Sequence, residues 1–167
     1  VEYADFKCPT CNRFFRGAYP EIQKNYIETG KAKIVFRNLP FIAEDSRTAA
    51  EGAYCANDQG KFRQYHDLLF NQIWDEYYGA GKVAEGEAAS VFAPEQLKQL
   101  VVSIGIDTGQ FDECLKTSKY KDAVTSDLAA SERDGATGTP TFIIGNQKIV
   151  GAQTFSFYDK LIQAVSR

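Results

Sequence analysis

The sequence lacks a long apolar run and any excess of positive charge. No run of about 18 apolar residues, the length that predicts a membrane span, occurs among the 167 residues. Lysine and arginine number 19 against 22 acidic residues, mixed along the chain, and the formal net charge is −3. We therefore expect no nucleic-acid partner, because the basic stripe of such proteins is missing. The hydrophobic content of 44% is enough for the core of one domain that holds an inserted subdomain.

Methionine is absent as well, even at position 1, and the chain starts at Val1 in what reads as the middle of a strand. We expect a fragment or a processed form, with any signal peptide or membrane anchor upstream of it. The absence of such a segment therefore says nothing about the compartment.

The four cysteines fall into one tight pair, Cys8 and Cys11, and two distant residues, Cys55 and Cys114. Three pairings are formally possible. Zinc is the alternative to redox chemistry, but a structural zinc site usually shows two short-spaced pairs. Because only one such pair is present, we expect no metal site.

The first part of the chain predicts a βαβ unit around the cysteine pair. Residues 1–6 alternate apolar and polar side chains, as in a strand with one face in the core. An amphipathic helix follows the pair and ends near Gly30, with a kink or break at Pro20. Residues 33–39 predict a second strand. Parallel pairing of the two strands, with a right-handed crossover, places the cysteine pair at the carboxyl edge of the sheet.

The middle of the chain, from Ser46 to about residue 134, is helical in pattern almost throughout. Ser46 is expected to cap one helix, and Asp107 a later helix that carries Cys114. The stretch 79–90, rich in glycine, alanine and glutamate, predicts a mobile loop.

The last segment returns to strand signals. Residues 142–144 and 148–150 flank Gly145-Asn146, which indicates a hairpin with a two-residue turn of the primed type. Ser156 starts a predicted terminal helix. The fold class is therefore α/β, with βαβ and ββα parts forming one sheet.

The chemistry of the pair follows from its place at the start of a helix. A dithiol that exchanges disulfides needs one sulfur as the thiolate. The unpaired N–H groups of the first turn stabilise an anion at Cys8, while Cys11, one turn further on, can resolve a mixed disulfide. Pro9 suits the first helical position, and Lys7 adds a cation beside Cys8. We expect the Cys8 sulfur to be exposed, in a redox site of the thioredoxin-like type.

Pro140, in the stretch GATGTPTFIIG, stands at the mouth of a strand, where a missing N–H group is tolerated. A cis peptide after Thr139 would leave the backbone polar groups of Thr139 free to pair with an extended substrate near Cys8. A trans proline that merely starts the strand is the alternative.

Together, KCPTC, EGAYCANDQGKFRQYHDLLF and TGTPTFIIGNQKIVGAQ give the chain a resemblance to DsbA-like thiol:disulfide oxidoreductases of the thioredoxin superfamily. The resemblance covers nearly the whole chain. It implies a thioredoxin-like domain of residues 1–45 and 135–167, with a helical insertion at 46–134. It also implies that Cys8 is the nucleophile, Cys11 the resolving thiol and Pro140 the cis-proline.

The resemblance further points to Glu2 as a buried acid that carries protons for Cys11, with Asp5 as its rival and a solvated strand residue as the alternative. DsbA itself has histidine where this chain has Thr10. A threonine hydroxyl offers one neutral hydrogen bond in place of a cation, so oxidising strength does not carry over unchanged.

Similar DsbA-like proteins carry a second bridge, so the resemblance favours a structural disulfide between Cys55 and Cys114. Two buried free thiols are the alternative. We expect the only histidine, His66, to be a packed or surface helix residue, and Trp74 to belong to the core of the insertion or the wall of a groove.

The resulting hypothesis is a monomeric disulfide oxidase outside the cytosol, with no cofactor beyond its redox-active cysteine pair. Its partners would be unfolded or reduced substrate proteins and, by the resemblance, a membrane reoxidase of the DsbB or VKOR type. A reductase or isomerase of the same fold is the nearest alternative, although isomerases usually need a dimer and no dimerisation segment is evident.

Overall fold

The computed structural model describes residues 1–165. Its sheet has four strands in the order β2-β1-β3-β4. The strands are β1 (Glu2–Ala4), β2 (Phe36–Asn38), β3 (Thr141–Ile144) and β4 (Gln147–Val150). β1 runs parallel to β2 and antiparallel to β3, and β3 is antiparallel to β4. The predicted α/β sheet with a parallel first pair and a C-terminal hairpin is confirmed.

The helices are α1 (Pro9–Arg16), α2 (Tyr19–Ile22), α3 (Glu44–Asp58), α4 (Phe62–Glu76), α5 (Val83–Ala88), α6 (Pro94–Leu100), α7 (Thr108–Lys116), α8 (Lys121–Arg133) and α9 (Phe155–Val165). Short turns extend three of them: a π-helical turn Gln23–Ile27, and 3-10 turns Tyr78–Ala80 and Val101–Ile104. Within residues 1–165, no helix combines the length and the apolarity needed to cross a bilayer.

The central strand β1 is shorter than predicted and is buried on both faces. Glu2 is 3% exposed and Tyr3 is 0% exposed. Glu2 lines a cavity with Phe14 of α1 and Tyr158 of α9, whereas Tyr3 packs against Ala130 of α8. Helices cover both sides of this strand, so the face that carries Glu2 is buried as well as the expected core face with Tyr3, and the solvated alternative for Glu2 is wrong.

The predicted helix after the cysteine pair is broken in two. α1 ends at Arg16, and α2 begins at Tyr19 with Pro20 in its first turn, where a missing N–H group costs nothing. The segment reaches Gly30, whose φ of +71° suits a glycine at the end of a helix. The break before Pro20 confirms the predicted interruption.

Two predictions in the helical middle need correction. Ser46 is not the N-cap of α3; it lies in the first turn, and its hydroxyl accepts a hydrogen bond from the N–H of Ala43 at 3.3 Å. The stretch 79–90, predicted as a loop, contains α5. Gly86 of α5 is buried against Tyr78, so tertiary packing holds a helix that the composition did not indicate.

Other local predictions match the structure. Asp107 caps α7 by accepting hydrogen bonds from the N–H groups of Gly109 and Gln110. Gly145 turns the hairpin with φ +60°, and Ile144 pairs with Gln147 across it. α9 begins one residue before the expected Ser156.

Cys55 of α3 and Cys114 of α7 form a disulfide with a Cα–Cα distance of 6.0 Å. The largest apolar cluster contains this disulfide together with Phe6, Cys8 and Cys11. The turn that carries the cysteine pair is therefore packed directly against the helical middle of the chain. The division into 1–45 with 135–167 and 46–134 stays a prediction, and residues 166 and 167 lie outside the described part.

Candidate active site

The cysteine pair lies at the N-terminus of α1, at the carboxyl edge of β1. Cys8 is the N-cap residue, with extended backbone angles of φ −77° and ψ 118°. Its Sγ accepts a hydrogen bond from the N–H of Cys11 at 3.1 Å. Pro9 occupies the start of the helix, where it leaves no N–H group unpaired. A sulfur thus takes the position in which a helix N-terminus stabilises negative charge.

Both sulfurs are present as free thiols and both residues are buried. Cys8 is 4% exposed and Cys11 is 0% exposed, so the expectation of an exposed Cys8 sulfur is wrong. The turn before β3 covers it, since the Cys8 thiol donates a hydrogen bond to the carbonyl oxygen of Thr139 at 3.3 Å.

The two thiols differ in acidity because their surroundings differ. Hydrogen bonding by Cys11 is the largest influence on Cys8 and lowers the pKa of its thiol, and the N–H groups of Thr10 and Cys11 act in the same direction against the effect of burial. For Cys11, burial is the largest influence and raises the pKa of the thiol well above its usual value. Cys8 is thus the sulfur that ionises first, as a nucleophile and leaving group must.

The turn at Thr139 and Pro140 completes one wall of the site. The peptide bond between them is cis. The Pro140 carbonyl accepts a hydrogen bond from the N–H of Gly151 at 2.8 Å, which ties the turn to the end of β4. The Thr139 hydroxyl is buried and makes no other hydrogen bond, and hydrogen bonding by this side chain lowers the pKa of the Cys8 thiol.

Glu2 is the buried acid behind α1. The pKa of its carboxyl is raised to about 8: burial is the largest influence and raises it, the N-terminal ammonium lowers it, and negative charge on Cys8 raises it. A charged Glu2 carboxylate in turn raises the pKa of the Cys11 thiol, as the smallest of the influences on it. Such a carboxyl is protonated at neutral pH and can donate a proton inside the protein.

Asp5 is also buried, but its carboxylate is already occupied. It accepts hydrogen bonds from the N–H groups of Lys7 at 2.8 Å, Phe41 at 3.0 Å and Ile42 at 3.1 Å. Burial raises the pKa of Asp5, and these three bonds oppose that rise. Asp5 thus fixes the loop after β2 to the turn that carries Cys8 and Cys11, called the redox turn below.

Lys7 and Thr10 make contacts that the sequence did not indicate. The Lys7 ammonium is buried and contacts Asp45 at 2.7 Å and the Ala89 carbonyl at 2.6 Å, so its charge is paired within the helical middle of the chain. The Thr10 hydroxyl accepts a hydrogen bond from Arg13 at 3.2 Å. Neither side chain is among the main influences on the pKa of Cys8.

Sequence reasoning missed two residues that hold the redox turn. The hydroxyl of Tyr78 donates a hydrogen bond to the Lys7 carbonyl at 2.6 Å, and Asp45 pairs with the Lys7 ammonium. Neither stands in a recognisable motif, and both are distant from Lys7 along the chain. A buried lysine needs an acidic partner, but the burial of Lys7 next to Cys8 is visible only in the structure.

The remaining candidates lie away from the sulfurs or form no site. His66 is 4% exposed and sits among aromatic rings, with its Nδ1 2.8 Å from Asp67. Trp74 is half-buried, and the Arg16 guanidinium lies 4.4 Å from its ring centre. Among residues 1–165, no three histidine, cysteine or acidic side chains form a metal-binding cluster, and a four-cysteine zinc site would require the thiolates now joined in the disulfide.

The comparisons with known proteins agree with this geometry. The family model described as Thioredoxin matches residues 1–164. The chain is 27% identical to Disulfide bond formation protein D of Bacillus subtilis (strain 168), over 173 residues that cover 100% of this chain and 70% of that protein. It is also 28% identical to a part of Na(+)/H(+) antiporter NhaA 3 of Salinispora tropica, over 89% of this chain but only 20% of that protein.

Solved structures show the same fold. The chain superposes on alpha-DsbA1 of Wolbachia pipientis with a TM-score of 0.78 at 23% identity, covering 99% of this chain and 83% of that chain. For oxidised BdbD of Bacillus subtilis the TM-score is 0.77 at 23% identity, with 99% and 85% covered. The predicted thioredoxin-like fold with an added helical region is thereby confirmed.

Proposed function

The chain belongs to the thioredoxin family as a DsbA-like thiol:disulfide oxidoreductase, and from this premise we propose that it is a disulfide oxidase that introduces disulfide bonds into exported proteins. One observation carries the proposal: at the N-terminus of α1, the Cys8 sulfur accepts a hydrogen bond from the N–H group of Cys11, while the Cys11 side chain itself is buried. This arrangement favours the Cys8 thiolate and hence the dithiol over the disulfide. A disulfide that is easily reduced is a strong oxidant.

The reaction runs through a mixed disulfide at Cys8. A substrate thiolate attacks Cys8 of the oxidised pair, the Cys8–Cys11 bond breaks, and Cys11 leaves as a thiolate. Because Cys11 is buried, its thiolate takes up a proton, which Glu2 supplies. A second substrate thiolate then attacks the substrate sulfur of the mixed disulfide, and Cys8 leaves as a thiolate. The substrate gains a disulfide and loses two electrons to the cysteine pair.

The walls of the site suit a protein substrate. We propose that Thr139 and Pro140 contact the extended segment around the substrate cysteine, and that the Thr139 hydroxyl stabilises the Cys8 thiolate when the product leaves. Burial of Cys8 to 4% exposure limits reaction to segments that fit against this turn.

The partners and the location follow from the same assignment. We propose reduced, unfolded proteins outside the cytosol as substrates, a membrane reoxidase of the DsbB or VKOR type as electron acceptor, and a monomer that needs no further cofactor. The disulfide between Cys55 and Cys114 supports a compartment in which disulfides persist. The names of the Bacillus relatives, disulfide bond formation proteins, support the same reaction class.

Equilibration of the Cys8–Cys11 pair against glutathione buffers tests the direction. We expect a reduction potential toward the oxidising end, nearer the value of about −120 mV known for DsbA than the value of about −270 mV known for thioredoxin. A potential as low as that of thioredoxin would contradict an oxidase and favour the reductase alternative.

Trapping tests the roles of the two sulfurs. A Cys11→Ser variant whose Cys8 has first been activated as the mixed disulfide with thionitrobenzoate should exchange with a reduced substrate protein: the substrate thiolate attacks Cys8, thionitrobenzoate leaves, and a mixed disulfide with the substrate accumulates. The Cys8→Ser variant treated in the same way should not, because only Cys8 is placed to be attacked. The matched control is Cys55→Ala/Cys114→Ala, which leaves the redox pair intact and should still oxidise the substrate. Mixed disulfides on Cys11 instead of Cys8 would reverse the assignment.

A further inference from the structure

The residue before the nucleophile, Lys7, is held at every polar group it has. Its side chain is 0% exposed, with the ammonium 2.7 Å from Asp45 and 2.6 Å from the Ala89 carbonyl. The backbone N–H group of Lys7 donates a hydrogen bond to the Asp5 carboxylate, and its backbone carbonyl accepts one from the Tyr78 hydroxyl. A buried ammonium is costly unless it is paired and hydrogen-bonded, so these contacts define one position for Lys7.

The contacts of Lys7 reach two separate segments of the helical middle. Asp45 lies in the first turn of α3, and its second carboxylate oxygen accepts the N–H group of Phe92 at 2.9 Å. Ala89 and Tyr78 lie on either side of α5. Segment 78–92 is therefore bound to Lys7 directly, through Tyr78 and Ala89, and indirectly, through Asp45.

These contacts act on Cys8 through one rigid unit. The carbonyl of Lys7 and the N–H group of Cys8 belong to the same planar peptide. Tyr78 holds its oxygen at 2.6 Å, and the Asp5 carbonyl holds its N–H group at 3.0 Å. The orientation of this peptide plane fixes the backbone of Cys8 and therefore the direction in which its sulfur meets the N–H group of Cys11. Hydrogen bonds weaken steeply as their angle departs from linearity.

We propose that Lys7 is a positioning residue, through which segment 78–92 holds Cys8 at the N-terminus of α1 and thereby sets how readily its thiolate forms. This inference deepens the proposed function, because it concerns the same cysteine. It assigns to the helical middle of the chain a part in the chemistry beyond covering the sheet.

A charge-free double variant tests the ion pair. Lys7→Met/Asp45→Leu removes both charges together, so no unpaired charge is left in the core. The matched control, Lys98→Met/Asp112→Leu, removes a lysine–aspartate pair of 3.3 Å between α6 and α7. Thiolate absorbance near 240 nm of the reduced protein, followed against pH, reports Cys8. We expect the Cys8 pKa to rise by about one unit, a roughly tenfold loss of thiolate below that pKa, with no change in the control.

A smaller change keeps the test decisive if the double variant does not fold. Tyr78→Phe removes only the hydroxyl that binds the Lys7 carbonyl, and Tyr54→Phe removes a hydroxyl bound to Asp127, away from the redox turn. We expect Tyr78→Phe to lower the thiolate population about threefold, as the loss of one net hydrogen bond would do, and Tyr54→Phe to leave it unchanged.

The outcomes separate the two proposals. A Cys8 pKa within 0.3 units, about twofold in thiolate, of the wild-type value in every folded variant overturns the positioning role, whatever the reduction potential. A shift in Tyr78→Phe without one in the double variant overturns the part assigned to the Lys7 ammonium. A wild-type potential typical of a reductase would overturn the oxidase proposal while the effects of these variants on the Cys8 pKa remain measurable.

Discussion

At the scale of single residues, burial decides the charge state of the groups around the sulfurs. Glu2 is nearly inaccessible, and burial raises the pKa of its carboxyl to about 8. Cys11 is equally buried, and the pKa of its thiol is raised well above its usual value. Cys8 alone has a lowered pKa, because hydrogen bonds outweigh burial there. Hydrogen bonds at the N-terminus of α1 thus make Cys8 the more acidic thiol. Cys11, the less acidic one, has the protonated Glu2 carboxyl as a buried acid nearby.

The raised pKa of Glu2 predicts a pH-dependent stability cost. Between its unfolded value of 4.5 and its folded value of about 8, the folded chain keeps a proton that the unfolded chain releases, so stability falls as pH rises. Between pH 5 and pH 8.5 the free energy of unfolding of Glu2→Gln should therefore rise relative to that of the wild type, by on the order of 2–4 kcal/mol. Urea unfolding of the reduced proteins measures the difference.

The control for this measurement is Glu21→Gln, a change at an exposed glutamate of α2. Its unfolding free energy should follow the wild type across the same pH range. A difference between Glu2→Gln and the wild type that does not vary with pH would contradict the raised pKa.

His66 predicts a loss of stability in acid. It packs against the rings of Phe70, Phe36 and Phe15, with centroids 5.0, 5.2 and 5.5 Å away, and burial lowers the pKa of its imidazole. Below pH 6.5 the unfolded chain therefore binds a proton at His66 that the folded chain does not bind, and the free energy of unfolding falls as pH decreases. The melting temperature of the wild type should drop further than that of His66→Phe between pH 7.5 and pH 5; equal drops would contradict this.

At the scale of elements, local chemistry was readable and long-range packing was not. The hairpin β3–β4 follows from strand residues around Gly145, and α7 from the cap at Asp107; both signals lie within a few residues of the structure they specify. α5 was missed, because its glycine-containing sequence becomes helical only where Gly86 fits against Tyr78.

The candidate site shows the same limit. The spacing of Cys8 and Cys11 and the place of Pro140 were sufficient to predict a cysteine pair at the start of a helix beside the turn at Thr139 and Pro140. The partner of Lys7 was not predictable, since Asp45 is 38 positions away and no local pattern links the two residues. The sequence therefore predicted Lys7 as a cation beside the Cys8 sulfur, whereas in the fold its ammonium is paired with Asp45 of α3.

The disulfide between α3 and α7 predicts a large share of the stability. It joins residues 59 positions apart, and closing a loop of that size stabilises by up to about 4 kcal/mol in the chain-entropy model. In a Cys8→Ala/Cys11→Ala background it is the only cystine left, so dithiothreitol should lower the unfolding free energy by about 2–4 kcal/mol. Removing Cys55 and Cys114 as well should make urea unfolding insensitive to the reductant; a residual effect of dithiothreitol would contradict the assignment.

At the scale of the whole molecule, the redox turn belongs to the core that holds the fold together. Phe6, Cys8 and Cys11 lie in one apolar cluster with Leu69 and Phe70 of α4. On its other side α1 packs through Phe14 against Phe142 of β3 and Tyr158 of α9. Because α1 and the cysteine pair pack against α4 on one side and against β3 and α9 on the other, we expect formation of the Cys8–Cys11 disulfide to change the free energy of unfolding of the whole chain.

This link predicts that the reduced protein is more stable than the oxidised one. Folding and disulfide formation form a closed thermodynamic cycle, so a fold that stabilises the Cys8 thiolate weakens the Cys8–Cys11 disulfide and loses unfolding free energy when that disulfide forms. A folded pair whose potential lies 60 mV above that of the unfolded pair corresponds to about 2.8 kcal/mol. Melting temperatures of the two forms, with the Cys55–Cys114 disulfide intact in both, measure the difference.

The pH dependence of that difference has a defined sign. The folded pKa of Cys8 lies below its unfolded value of 9.0, so the thiolate's contribution is fully present above that pH and is lost as pH falls through the folded pKa. The advantage of the reduced form should thus be larger at pH 8 than at pH 5. An oxidised form that melts higher at pH 8 would mean that the disulfide stabilises this fold, as in a reductase, and would contradict the proposed direction of the reaction.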